Sequence, residues 1–183
     1  AKVVVVARRR AQLHELAQQI EHGGGEALPI AADVTKPEEV AACFRQVIER
    51  FGRVDVVVSN AGVLTSGTII DLEPGHLEAM MRVNVFGSLA VLQEAVRAMR
   101  AQEQGGSIVC VGSLAGRRGI SPLGGYCATK FALVGLVEAL RMELLGEPVH
   151  VSLVEPGIVE TPMGDKVTHD PDFVDLWPPA LNM

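Results

Sequence analysis

Hydrophobic and polar positions alternate between two kinds of stretch along the chain. Short apolar runs at residues 2–6, 27–31, 54–58, 107–111 and 149–154 are rich in Val, Ile and Leu and read as strands buried on both faces. Between them apolar positions recur every three or four residues. Leu13, Leu16, Ala17 and Ile20 give one face of a helix over 11–21, and Leu77, Met81, Leu89, Leu92, Val96 and Met99 give one face of a long helix over about 74–102. Two further helices are predicted over 36–51 and about 122–145. Gly23, Gly24 and Gly25 stop the first helix, Thr35 caps the second with Pro37 in its first turn, and Gly52 ends it.

Regular alternation of strand and helix predicts a parallel sheet with helices on both faces, wound by right-handed crossovers. The expectation is one three-layer, doubly wound α/β domain over 1–183, with a polar, Pro-containing tail over 163–183 as a lid or tail region. Ligands of such sheets bind outside the carboxyl ends of the strands. Arg8, Asp33, the Asn60-Ala61-Gly62 turn, Ser113 and the Pro156-Gly157 turn stand there. Arg can fork onto phosphate, Asp can accept from a hydroxyl or amine, and Gly permits close backbone approach. Each site taken alone is explained equally well by the needs of a turn. All five together favour a nucleotide site.

The chemistry concentrates between Ser107 and Lys130. A strand ends in Gly112-Ser113, a short loop follows, and Tyr126 and Lys130 open the next helix four residues apart, on one face. An ammonium beside a phenol favours the phenolate, so Lys130 is expected to lower the Tyr126 pKa from its usual value of about 10. Such a phenol suits general acid–base work, with Ser113 hydrogen-bonding the same substrate oxygen. Tyr126 is the one tyrosine in the chain. A net charge of −6 disfavours a nucleic-acid surface, and no apolar run is long enough to span a bilayer. Cys43, Cys110 and Cys127 have no metal-ligand spacing; no metal is expected, and so sparse a set suits a reducing cytoplasm.

With these pieces in hand, the chain resembles the short-chain dehydrogenase/reductase family over about residues 2–163. Ala32-Asp33-Val34, Asn60-Ala61-Gly62, Val83-Asn84-Val85, Gly112-Ser113, Tyr126-x-x-x-Lys130 and Pro156-Gly157 with Thr161 stand in family order. The resemblance implies a Rossmann-like fold and a catalytic tetrad of Asn84, Ser113, Tyr126 and Lys130. Tyr126 would exchange a proton with the substrate oxygen, and Lys130 would hold the nicotinamide ribose. Asn84 would open a kink in its helix and hold a water in the proton relay. It also implies cofactor contacts from Arg8, Asp33, Val34, Asn60, Ala61, Gly62, Val83, Tyr126, Lys130, Pro156, Gly157, Ile158 and Thr161. The implied function is NAD(P)(H)-dependent hydride transfer to or from a small carbonyl or alcohol. The alternative is a non-catalytic dinucleotide-binding regulator.

Arg8 after the opening strand predicts NADP(H) over NAD(H), because the acidic residue expected for a ribose 2′-hydroxyl is not there. Assembly as a homodimer or homotetramer through the long helices is also implied. The sequence departs from the family mildly at Ser59, and seriously in that neither a glycine-rich phosphate loop nor its strand is found before Lys2, while the last strand is not found after Met163. The family's first strand lies between those starting at Lys2 and Val54, so the sheet is expected to split there. A longer protein, with a strand–loop–helix unit ahead of Ala1, is the corresponding expectation. Specificity would reside in residues 63–70 and 114–124 and in a lid after Pro162, with Leu64, Leu114, Ile120 and Leu123 suggesting an apolar pocket.

Overall fold

Among the residues described by the computed structural model (1–159, 161 and 163), strands and helices alternate along the chain. β1 (Lys2–Ala7), α1 (Arg10–His22), β2 (Glu26–Ala31) and α2 (Pro37–Phe51) lead to β3 (Val56–Ser59). α3 (Pro74–Met81), a π-helical turn (Arg82–Gly87) and α4 (Ser88–Arg100) lead to β4 (Gly106–Val111). A 3₁₀ turn (Leu114–Gly116), α5 (Gly124–Glu143) and β5 (Val149–Val154) complete the order.

All strand pairs are parallel, as a strand–helix alternation requires. They form two sheets: β1 pairs β2 with Lys2 opposite Glu26, and β4 lies between β3 and β5, with Val56 opposite Ser107 and Gly106 opposite Val149. The split falls between β1 and β3. A cavity of about 1800 Å³ opens there, lined by Val4 and Val6 from one sheet and by Val56 and Val58 from the other. The runs at 2–6 and 54–58 are therefore not buried on both faces as their composition predicts: Val56 and Val58 are each 60% exposed. The exposed valines line the cavity, where neither sheet covers the other.

The main core lies under α2, α4 and α5. Cys43, Val47, Leu92, Met99, Ile108, Cys110, Leu133, Val137 and Val149 pack together there. Two predicted elements differ in detail. Thr35 does not cap α2; Lys36 holds that position without a side-chain bond, while the Thr35 hydroxyl and amide both donate to Asp33 Oδ1 at 2.8 and 3.0 Å. A short loop closed on its own Asp leaves the Thr side chain engaged one residue before the cap position. The single helix expected over 74–102 is interrupted by the π-helical turn containing Asn84. The expected lid and tail over 163–183 lies, apart from Met163, outside the described residues.

Candidate active site

β4 delivers its carboxyl end to the cavity. Gly112 N–H donates to Val154 O at 2.7 Å, and Leu114 N–H donates to Pro156 O at 3.0 Å, so the segment carrying Ser113 is pinned to the end of β5. Ser113 is extended, and its hydroxyl accepts from Ala115 N at 3.1 Å. Tyr126 and Lys130 lie in the first two turns of α5 and both are buried.

Three glycines bring the helix close enough. A Cβ on Gly125 would stand 2.8 Å from Leu72 Cδ2, one on Gly124 2.4 Å from Ile69 Cδ1, and one on Gly116 3.0 Å from Lys130 O. The contacts of Gly116 and Gly125 were not legible as site features in sequence, where these glycines read as ordinary loop and helix-start residues.

The electrostatics differ from the sequence expectation. Burial raises the Tyr126 pKa above its ordinary value, and a hydrogen bond with Ser113 only partly offsets this. Burial also lowers Lys130 to about 8. Lys130 Nζ donates to Val111 O at 2.9 Å and lies 5.6 Å from the Tyr126 ring centroid. Desolvation disfavours the charged form of each group, so the expected lowering of the phenol by its neighbour does not prevail.

Asn84 is almost completely buried and does not line the cavity. Its side chain clasps the loop after β3: Oδ1 accepts from Val63 N at 2.8 Å, and Nδ2 donates to Val63 O at 2.9 Å. Nδ2 also donates to Thr129 Oγ1 at 3.0 Å. Thr129 escaped the sequence reading. Its only signal was its position inside Tyr126-x-x-x-Lys130.

The remaining candidates converge. Arg8, Asp33, Val34, Asn60, Ala61, Gly62, Val83, Ser113, Tyr126, Lys130, Pro156, Gly157, Ile158 and Thr161 all line the one cavity. Arg8 and Asp33 stand at its β1–β2 end, where the carboxyl of Asp33 is held below its ordinary range by the Thr35 hydrogen bonds and, more weakly, by Arg8. α1 begins beside Arg8 and Arg9 with no acidic residue in its first turn. At the other end Tyr126 packs with Ala115, Leu123, Leu64 and Ile120. The set fits a dinucleotide: cations and a helix N-terminus suit phosphate, and a carboxylate suits a hydroxyl. No described helix is long and apolar enough to cross a membrane.

Comparison with known proteins gives a consistent picture. The family model described as "short chain dehydrogenase" matches residues 1–172. An uncharacterized oxidoreductase, YxnA, of Bacillus subtilis is 36% identical over 97% of this chain and 50% of its own length. A sorbitol dehydrogenase of Cereibacter sphaeroides is 34% identical over 83% of this chain and 59% of its own. The chain thus spans half or somewhat more of these two relatives. A short-chain type dehydrogenase/reductase structure from Mycobacterium marinum superposes with a TM-score of 0.85 at 34% identity, covering 89% of this chain and 65% of the other. NAD+-bound xylitol dehydrogenase gives 0.83 at 26% identity, covering 86% and 60%. An alcohol dehydrogenase from the archaeon Thermococcus sibiricus, complexed with 5-hydroxy-NADP, gives 0.83 at 30% identity, covering 89% and 68%.

Proposed function

Because the chain belongs to the short-chain dehydrogenase family, we propose that it interconverts a small carbonyl compound and the corresponding secondary alcohol, with Tyr126 as the group that gives or takes the proton. The observation that carries this reading is the meeting of Ser113, Tyr126 and Lys130 with the Arg8–Asp33 end of the sheets in one cavity. When bound, a nicotinamide dinucleotide supplies or accepts the hydride. The chain's own residues do the rest. A phenol kept in its acid form by burial is ready to donate to a carbonyl oxygen. Ser113, hydrogen-bonded to that phenol, orients the same oxygen. Lys130, buried beside the ring, is the donor for a ribose hydroxyl. Arg8, Asp33, Val34, the 60–62 turn, Val83, the 156–158 segment and Thr161 would hold the dinucleotide.

The finer assignment is NADP(H). Arg8 and the N-terminus of α1 offer a cationic seat for a 2′-phosphate, and the nearby Asp33 carboxyl oxygen is engaged by Thr35. Relatives with NAD+ and with an NADP analogue both exist, so the preference rests on Arg8. A reducing cytoplasm, a small-molecule substrate and self-assembly through the long helices complete the proposal.

The test is turnover of a carbonyl and alcohol panel with NADPH and NADH. We expect a higher kcat/KM with NADPH, a preference that Arg8→Ala erodes. Tyr126→Phe should bind cofactor normally while turnover falls about 10²–10⁴-fold. Near-normal turnover by Tyr126→Phe would overturn the acid–base assignment, and a clear preference for NADH would overturn the cofactor assignment.

A further inference from the structure

Thr129 is fully buried, and its hydroxyl is engaged on both sides. It accepts from Asn84 Nδ2 at 3.0 Å and donates to Tyr126 O at 2.8 Å. The direction of this chain is fixed by chemistry. Val63 N–H can only donate and Val63 C=O can only accept, so the Asn84 amide has one permitted orientation. Both Nδ2 hydrogens are then spent, one on Val63 and one on Thr129. The Thr129 hydroxyl, having accepted, places its single hydrogen on the carbonyl of the residue that carries the phenol.

Three separate segments meet in this one line of bonds: the loop after β3, the π-helical turn and the first two turns of α5. We propose that Thr129 is a positioning residue for the reaction, holding the backbone of Tyr126 to the Asn84–Val63 clasp and so setting the phenol relative to Ser113. The proposal rests on the reading of Tyr126 as the acid–base group. A hydroxyl is required at 129, because only a group that donates and accepts at once can continue the line. Ser satisfies this; Val, of nearly the same shape, does not.

One tyrosine in these 183 residues makes the test direct, since isotopically labelled tyrosine gives a single set of ring signals from them. Thr129→Val should displace these signals, and Thr129→Ser should leave them near their parent positions. Ser88→Ala serves as the control. Ser88 is also buried and donates to Asn84 O at 2.9 Å, a bond that stays within the helical segment 82–100, so its removal should leave the ring signals in place. In kinetics, Thr129→Val should lower kcat about tenfold with the cofactor Kd unchanged, and Thr129→Ser should restore kcat to within about twofold, the scale of one lost buried hydrogen bond. If Thr129→Val does not fold, Thr129→Ala takes its place in both measurements.

Unmoved ring signals in Thr129→Val, equal displacement in Ser88→Ala, or parent kcat in Thr129→Val with only a lower Tm would each overturn the proposal. If the parent turns over nothing, the functional reading fails instead, and the ring signals still decide whether Thr129 positions Tyr126.

Discussion

Lys130 shows how burial sets chemistry one residue at a time. Its ordinary pKa is 10.5, and the fold lowers it to about 8. Between those values the unfolded chain binds a proton that the native protein does not, so native stability rises with pH across that window. Below about 8 both states are charged, and the buried ammonium costs stability in full. Lys130→Met removes this dependence. The stability of the parent relative to Lys130→Met, from denaturant midpoints, should therefore increase between about pH 8 and 10.5, by about 3 kcal/mol across the window. A flat difference would show that the ammonium is not desolvated as the structure has it. Cys110 and Tyr126, whose raised values cost stability as pH rises through the same range, are present in both proteins, so the comparison isolates Lys130 together with its charge coupling to Cys110. The spacing of Tyr126 and Lys130 was legible in sequence because helical period alone puts them on one face. The sign of the Tyr126 shift was not, because desolvation depends on what else surrounds the ring.

At the scale of elements, the turn between α4 and β4 carries an unusually rigid constraint. Gly105 has φ +61°, and a Cβ there would stand 1.7 Å from Pro148 O. The same turn is bound by Gln102, whose side chain donates to Val54 O and accepts from Val54 N, joining β4's entry to that of β3. Gly106 N–H donates to Pro148 O at 3.0 Å and starts the β4–β5 register. Gly105→Ala forces backbone apart where the strands begin to pair. We expect a loss of about 3 kcal/mol or more, toward the upper end for single substitutions, read from denaturant unfolding. A loss under about 0.5 kcal/mol, the ordinary surface value, would contradict the close approach. The π-helical turn makes a related point. Gly87 lies within it, and a Cβ there would stand 2.8 Å from Val34 Cγ2, so the turn packs directly on the segment after β2. Periodicity over 74–102 marked a helix, and Asn84 marked its weak point. Neither could specify a π-helical turn there, or that Asn84 within it would bond to Val63 and Thr129, segments remote in sequence.

For the whole molecule, the division into two sheets sets an order of local stability. Among the described strands, β4 alone is paired on both sides, whereas β1 and β3 each present an edge to the cavity. Amides of β4, with Ile108 and Cys110 fully buried, should show the slowest hydrogen exchange, and those of β1 and β3 should exchange markedly faster. Equal protection across β1, β3 and β4 would mean that the edges are covered in solution. The sequence by itself determined the α/β class, the parallel pairing and the helix faces, because these follow from local periodicity and from strand runs bounded by helices. It also brought Arg8, Asp33, Asn60, Ser113 and Pro156 to one end of the strands, since in a parallel sheet every strand ends on the same side. Only the tertiary structure decided which valines stay exposed, which way burial moves Tyr126 and Lys130, and that Thr129 joins Asn84 to α5. Those outcomes depend on distances between segments remote in sequence, and desolvation and hydrogen-bond geometry exist only once such segments have packed.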